Sequence, residues 1–153
     1  MNELTPSLED YLEAIWMTSL KKKVVRVKDI GEHLRVKAAS VVEAMSNLKE
    51  KGLVIQEKYG YIELTPRGNK IAKNIYNKHK TLTRFLNEVL DVEKETASND
   101  ACRIEHHVSK ETLNKVIKFI EFIDGCPEGE PICLSNFRVF VKNGVRPEPC
   151  KKK

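Results

Sequence analysis

The sequence predicts a mostly α-helical chain with a small β-hairpin wing: a winged helix-turn-helix domain followed by an all-helical domain. Three observations carry this. Apolar residues recur at i, i+3 and i+4 through most of the chain up to Asp124, the period of helices with one buried face. Two short helical stretches are separated by a tight break at Arg35-Val36. Two apolar-rich runs around Lys58-Tyr59-Gly60 follow at once, the mark of a hairpin.

Taken in order, Leu8, Tyr11, Leu12, Ile15 and Trp16 place a first helix over about Ser7 to Leu20, with Ser7 as N-cap and Asp10 at the third helical position. Val27, Ile30 and Leu34 mark a short second helix. A third runs from about Ala38 to Lys51, with Val41, Met45 and Leu48 inward and Gly52 as its stop. Leu53 to Glu57 and Tyr61 to Leu64 are the hairpin strands. A hairpin is marginal alone, so it must pack on the preceding helices. Thr65-Pro66 then gives an N-cap and a proline at the first helical position of a long helix. Its stripe is Ile71, Ile75, Leu82, Phe85, Leu86 and Val89. Further helices are expected over about Lys94 to Val108 and from Ser109, the last apolar on one face through Leu113, Val116, Ile117, Ile120 and Ile123. Phe119 and Phe122 lie on its other side. A helix apolar on two sides needs two partners, which in a small protein points to a second subunit. The expected domains are therefore 1-70, 71-124 and an irregular tail over 125-153, rich in Pro, Gly and charge.

Composition bounds the partners. The 153 residues carry a formal net charge of +5 and a pI near 9.0, so an anionic partner is plausible on charge alone. No basic n-region or apolar h-region opens the chain, and no apolar run approaches the ~20 residues that span a bilayer. Cys102, Cys126, Cys133 and Cys150 are irregularly spaced, which argues against a disulfide framework and for a reduced, cytoplasmic setting with no membrane partner.

Two constellations carry chemistry. The exposed face at the start of the third helix holds Lys37, Ala38, Ala39, Ser40, Glu43 and Asn47. Small residues let the helix N-terminus approach a duplex, its amides and Ser40 suit a phosphate, and Asn47 suits an adenine edge. Arg26, Lys28, Arg35, Lys49 and the wing-tip Lys58 surround this element as phosphate contacts for double-stranded DNA. The second constellation is Cys102-Arg-Ile-Glu105-His106-His107. Helical spacing puts Cys102, Glu105 and His106 on one face, and thiolate, carboxylate and imidazole together suit Fe²⁺, Co²⁺, Zn²⁺ or Mn²⁺. Asp10 and Glu13 share a face of the first helix, and His79 sits mid-way along the long one. Cys102 and His106 also fit a nucleophilic thiolate–imidazole pair, although no oxyanion loop or orienting partner accompanies them. Cys126, Cys133 and Cys150 read as surface thiols rather than zinc ligands or a redox pair, because third and fourth ligands are not assured.

Pro6-Ser-Leu-Glu-Asp-Tyr-Leu-Glu13, Val27 to Gly52 with its wing, His79, and Asn99-Asp-Ala-Cys-Arg-Ile-Glu-His-His107 together resemble the metal-dependent repressors of the DtxR and MntR type. The resemblance implies a metal-activated repressor binding operator DNA as a homodimer, with residues 71-124 as the dimerisation and metal-binding domain. It implies the ligand set Asp10, Glu13, His79, Cys102, Glu105 and His106, and Mn²⁺ or Fe²⁺ as cofactor, with Co²⁺ or Zn²⁺ possible in vitro. Position 102 departs from the manganese branch, which has Glu there, and follows the iron branch, while Asp10 follows the manganese branch. Thr83 and Ser98 stand where the family's second, ancillary site has acid and His, so that site is not expected. An SH3-like third domain is not expected either. Family members often have Pro near Ala39, so operator sequence does not carry over. A winged-helix regulator answering a small organic ligand is the alternative from the same class, and an enzyme using Cys102 or a metal-bound water is the rival from another.

Overall fold

The computed structural model describes residues 4–56, 60–127 and 129–147. The chain forms two compact units, Met1–Asn77 and Lys78–Lys153.

The first unit opens with α1 (Pro6–Ser19). Its N-cap is Thr5 rather than the expected Ser7: Pro6 takes the first helical position, which needs no N–H, and Leu8 N donates to Thr5 Oγ1 at 3.4 Å. A two-residue strand β1 (Val25–Arg26), not foreseen from so short a run, leads into α2 (Val27–Leu34). Asp29 closes the start of α2 by accepting from Arg26 N at 2.9 Å. Lys22 donates to the same carboxylate and holds it below the usual carboxylate range. Arg35 ends α2 in the left-handed region at φ 56°. There Val36 N donates to Gly31 O at 3.0 Å, which turns the chain sharply into α3 (Ala38–Glu50).

Strands β2 (Val54–Gln56) and β3 (Tyr61–Leu64) form the wing, paired antiparallel with Val54 opposite Leu64 and Gln56 opposite Ile62. β1 adds to the other edge of β3, Val25 opposite Ile62, giving the order β1-β3-β2. The core of this unit is Leu12, Ile15, Ile30, Val41, Met45, Leu48, Leu53 and Ile62, all essentially inaccessible. Of the inward residues expected of the first three helices, Tyr11, Leu12, Ile15, Ile30, Val41, Met45 and Leu48 are buried, while Leu8, Trp16, Val27 and Leu34 pack partly buried against them.

α4 (Pro66–Arg84) starts against this sheet. Gly68 N donates to Thr65 Oγ1 at 3.0 Å, and Thr65 Oγ1 donates to Gly52 O at 2.9 Å. The fit is close enough that a Cβ at Gly68 would lie 2.0 Å from Leu53 O.

In the second unit α4 passes into a π-helical turn, Phe85–Val89. α5 (Lys94–Ile104) and α6 (Lys110–Asp124) follow. α5 stops four residues earlier than the expected Val108, so Glu105 is its C-cap and His106 and His107 lie in the turn beyond. Arg84 grips Asp124 through two hydrogen bonds, 2.9 and 2.5 Å, and Glu88 at 2.7 Å. Phe119 packs edge-to-face on Phe85, 6.2 Å between centroids, while Phe122 is largely exposed.

The expectation of an irregular tail needs correction, because Ile132–Asn143 forms helix α7. The flanking Pro131 and Gly144 are its boundaries rather than signs of disorder: Gly144 closes it at φ 68°. Arg138 fastens it, donating to the Glu88 carbonyl at 2.7 Å and pairing with Glu130. No helix among the described residues is long and apolar enough to cross a membrane.

Candidate metal centre and nucleic-acid interface

Glu105 is the organising residue of the candidate metal centre. It caps α5 with helical backbone, its N donating to the Ala101 carbonyl at 2.9 Å, and follows Ala97 and Ala101 on the buried face, 1% exposed. Two imidazoles of the same unit flank it. His79 Nδ1 lies 2.9 Å from Glu105 Oε2, and His106 Nε2 lies 3.7 Å from Glu105 Oε1. The His106 side chain is itself only 6% exposed. On its other nitrogen His79 meets Ser98 Oγ at 3.3 Å.

The donor chemistry fits a divalent transition ion. Glu105 Oε1 is buried and takes part in no hydrogen bond among the described residues. Such an atom costs on the order of 1–3 kcal/mol when left unsatisfied. A buried carboxylate between two imidazoles becomes favourable once a cation shares it.

Of the six residues expected to bind metal, the structure therefore brings His79, Glu105 and His106 together. Cys102 lies half-buried on α5, three residues before Glu105. Asp10 is half-buried and Glu13 buried, three residues apart on α1. His107 is exposed. Sequence reasoning missed Ser98 as the group that orients His79. Position 98 had drawn notice only for lacking a family histidine.

On the first unit, Lys37, Ala38, Ala39, Ser40, Asn47 and Lys49 are all exposed on α3 or at its start, as are Arg26, Lys28 and Arg35. Arg26 stacks over the Tyr61 ring, 5.3 Å from its centroid, which ties β1 to the wing. Lys28 pairs with Glu32 at 3.7 Å, an exposed contact of small energetic weight. Lys58, expected at the wing tip, falls outside the described residues.

Comparison with known proteins gives the family of both parts of the chain. Residues 3–62 match the family described as iron dependent repressor, N-terminal DNA binding domain. Residues 65–134 match iron dependent repressor, metal binding and dimerisation domain. The HTH-type transcriptional regulator MntR of Lysinibacillus sphaericus is 34% identical over 124 residues, 81% of this chain and 88% of that protein. MntR of Bacillus subtilis is 36% identical over 120 residues, 78% of this chain and 84% of the relative. Among solved structures, T. acidophilum IdeR superposes with a TM-score of 0.69 at 30% identity, and the manganese regulator SloR with 0.69 at 31%. The alignments cover 86% and 81% of this chain, which spans 61% and 58% of those two. With both of its parts matched in chain order, this chain belongs to the iron-dependent repressor family of metal-dependent transcriptional regulators.

Proposed function

We propose that this chain is a cytoplasmic, metal-activated repressor, not an enzyme, which binds operator DNA as a homodimer when Fe²⁺ or Mn²⁺ is bound. The observation that carries the metal part is the buried Glu105 carboxylate flanked by His79 and His106. Cys102 adds a thiolate from the preceding turn of α5, and Asp10 and Glu13 of α1 complete the ligand set. Residues 1-70 contact DNA, residues 71-124 hold the metal and the dimer contacts, and residues 125-153 add α7.

A bound divalent ion supplies the positive charge that lets these acidic groups and the thiolate stand together in their ionised forms. The ligands must shed their protons to bind it, and Ser98 steers His79 so that its Nδ1 faces Glu105. Ligands drawn from α1 and from the second unit make DNA affinity depend on metal occupancy, by ~1–3 kcal/mol per effector event, and the dependence is reciprocal. In the dimer the two α3 helices meet half-sites about one helical turn, ~34 Å, apart. Lys37, Ala38, Ala39, Ser40 and Asn47 approach the bases and nearby phosphates. Arg26, Lys28, Arg35, Lys49 and Lys58 contact the backbone.

Cys102 decides the metal. A thiolate favours Fe²⁺, Co²⁺ or Zn²⁺ over Mn²⁺, while carboxylates suit Mn²⁺. The parent protein answers to iron and manganese, with iron somewhat preferred. Cys102→Glu moves that rank toward Mn²⁺ in anaerobic titrations with Mn²⁺, Fe²⁺ and Co²⁺, read by DNA binding. An unchanged rank removes Cys102 from the ligand set.

A further inference from the structure

We propose that Val42 is a specificity-determining residue that reads the C5-methyl group of a thymine in the major groove. This rests on the DNA-binding reading above and deepens it by naming a base feature that α3 recognises.

The rotation of α3 is fixed from below. Val41, Ala44, Met45 and Leu48 are buried in the core of the first unit. They leave Val42 pointing outward, 53% exposed, the one large apolar side chain left exposed on α3 among the described residues. A lone surface valine is ordinary, but three features of its setting are not. First, the residues one turn to either side, Ala38, Ala39 and Ser46, are small and exposed, so nothing on the helix stands between the valine and an approaching surface. Second, Arg35 and Lys37 before it and Lys49 two turns after it are exposed, against the one neighbouring exposed acid Glu43, a balance of charge suited to a polyanion rather than to an apolar protein face. Third, valine is β-branched and keeps one strongly preferred χ1 rotamer in a helix. The isopropyl group is therefore presented in a fixed direction at little entropic cost on binding.

An apolar knob in a mostly cationic setting complements one feature of the major groove. The base edges there are hydrogen-bond donors and acceptors, except that thymine also offers its C5-methyl. Seating Val42 against that methyl removes apolar surface from water on both partners. Opposite a cytosine or purine edge it covers polar groups and returns nothing.

The test uses the full-length protein in saturating Mn²⁺ and, anaerobically, Fe²⁺. Preferred sites are first selected from a randomised duplex library with the parent protein and with Val42→Ala. Each thymine of the parent's site is then replaced by deoxyuridine, which deletes only the methyl group. We expect one thymine per half-site at which this replacement weakens the parent about fourfold, the effect of one methyl group's burial. Val42→Ala should lose that sensitivity and the preference for thymine at that position. Alanine is a strong helix former and the site is exposed, so an unchanged melting curve shows that the fold is intact. Deoxyuridine without effect on the parent, or a penalty that Val42→Ala retains, overturns the proposal. If no duplex is selected in either metal, the DNA-binding reading falls and takes this one with it.

Discussion

A buried carboxylate needs a reason, and at Glu105 the reason is built from its neighbours. Its side chain is fully inaccessible and lies between two imidazoles, one of them oriented by Ser98. Groups that orient a metal-binding histidine through its second nitrogen set both its tautomer and its basicity. Ser98→Ala should therefore lower affinity for Mn²⁺ or Co²⁺ about tenfold, with the thermal unfolding midpoint nearly unchanged, as read by direct metal titration. Equal affinities would show that the hydroxyl is incidental. Glu105 and His106 were legible as candidate ligands because they are chemically conspicuous and adjacent in sequence. Ser98 was not, since a serine in a helix signals nothing until its partner is known. The turn geometry was also hidden. Helical spacing did carry Glu105, whose backbone stays helical at the C-cap and which follows Ala97 and Ala101 on the buried face, while the end of α5 at Ile104 was not foreseen.

Among the elements, the start of the long helix lies close against the chain that enters the wing. The hairpin was readable from its two apolar-rich runs and the glycine between them, and α4 from Thr65-Pro66, because both rest on local chemistry. Neither β1 nor α7 was readable. β1 is two residues long and exists only because Val25 and Arg26 find partners on β3, a non-local fact. α7 lay inside a stretch whose prolines and glycines dominate its composition, and the long-range bond from Arg138 to Glu88 is invisible in the local pattern. Gly68 shows how a non-local contact dictates a residue. Its hydrogen occupies space beside Leu53 O where a methyl group does not fit. Gly68→Ala should cost about 2 kcal/mol or more of stability, since backbone on both sides must move. Chemical denaturation of the full chain measures it. A loss below about 0.5 kcal/mol, the range of ordinary surface substitutions, would mean that the two segments are not held as described.

For the whole molecule, the +5 net charge supplies a background attraction to any polyanion, weak and steeply dependent on salt. Regulation requires something more, namely sequence-specific affinity that exists only with metal bound. Under the proposed function, Asp10 and Glu13 act together with the residues around Glu105 on DNA binding. Equilibrium binding of the parent protein to a selected duplex, in saturating Mn²⁺ or Fe²⁺ and again in excess chelator, tests it most directly. Chelator should abolish preference for the selected site over competitor DNA and leave the salt-sensitive background. Specific affinity that is the same with chelator as with metal would show that metal does not switch DNA binding.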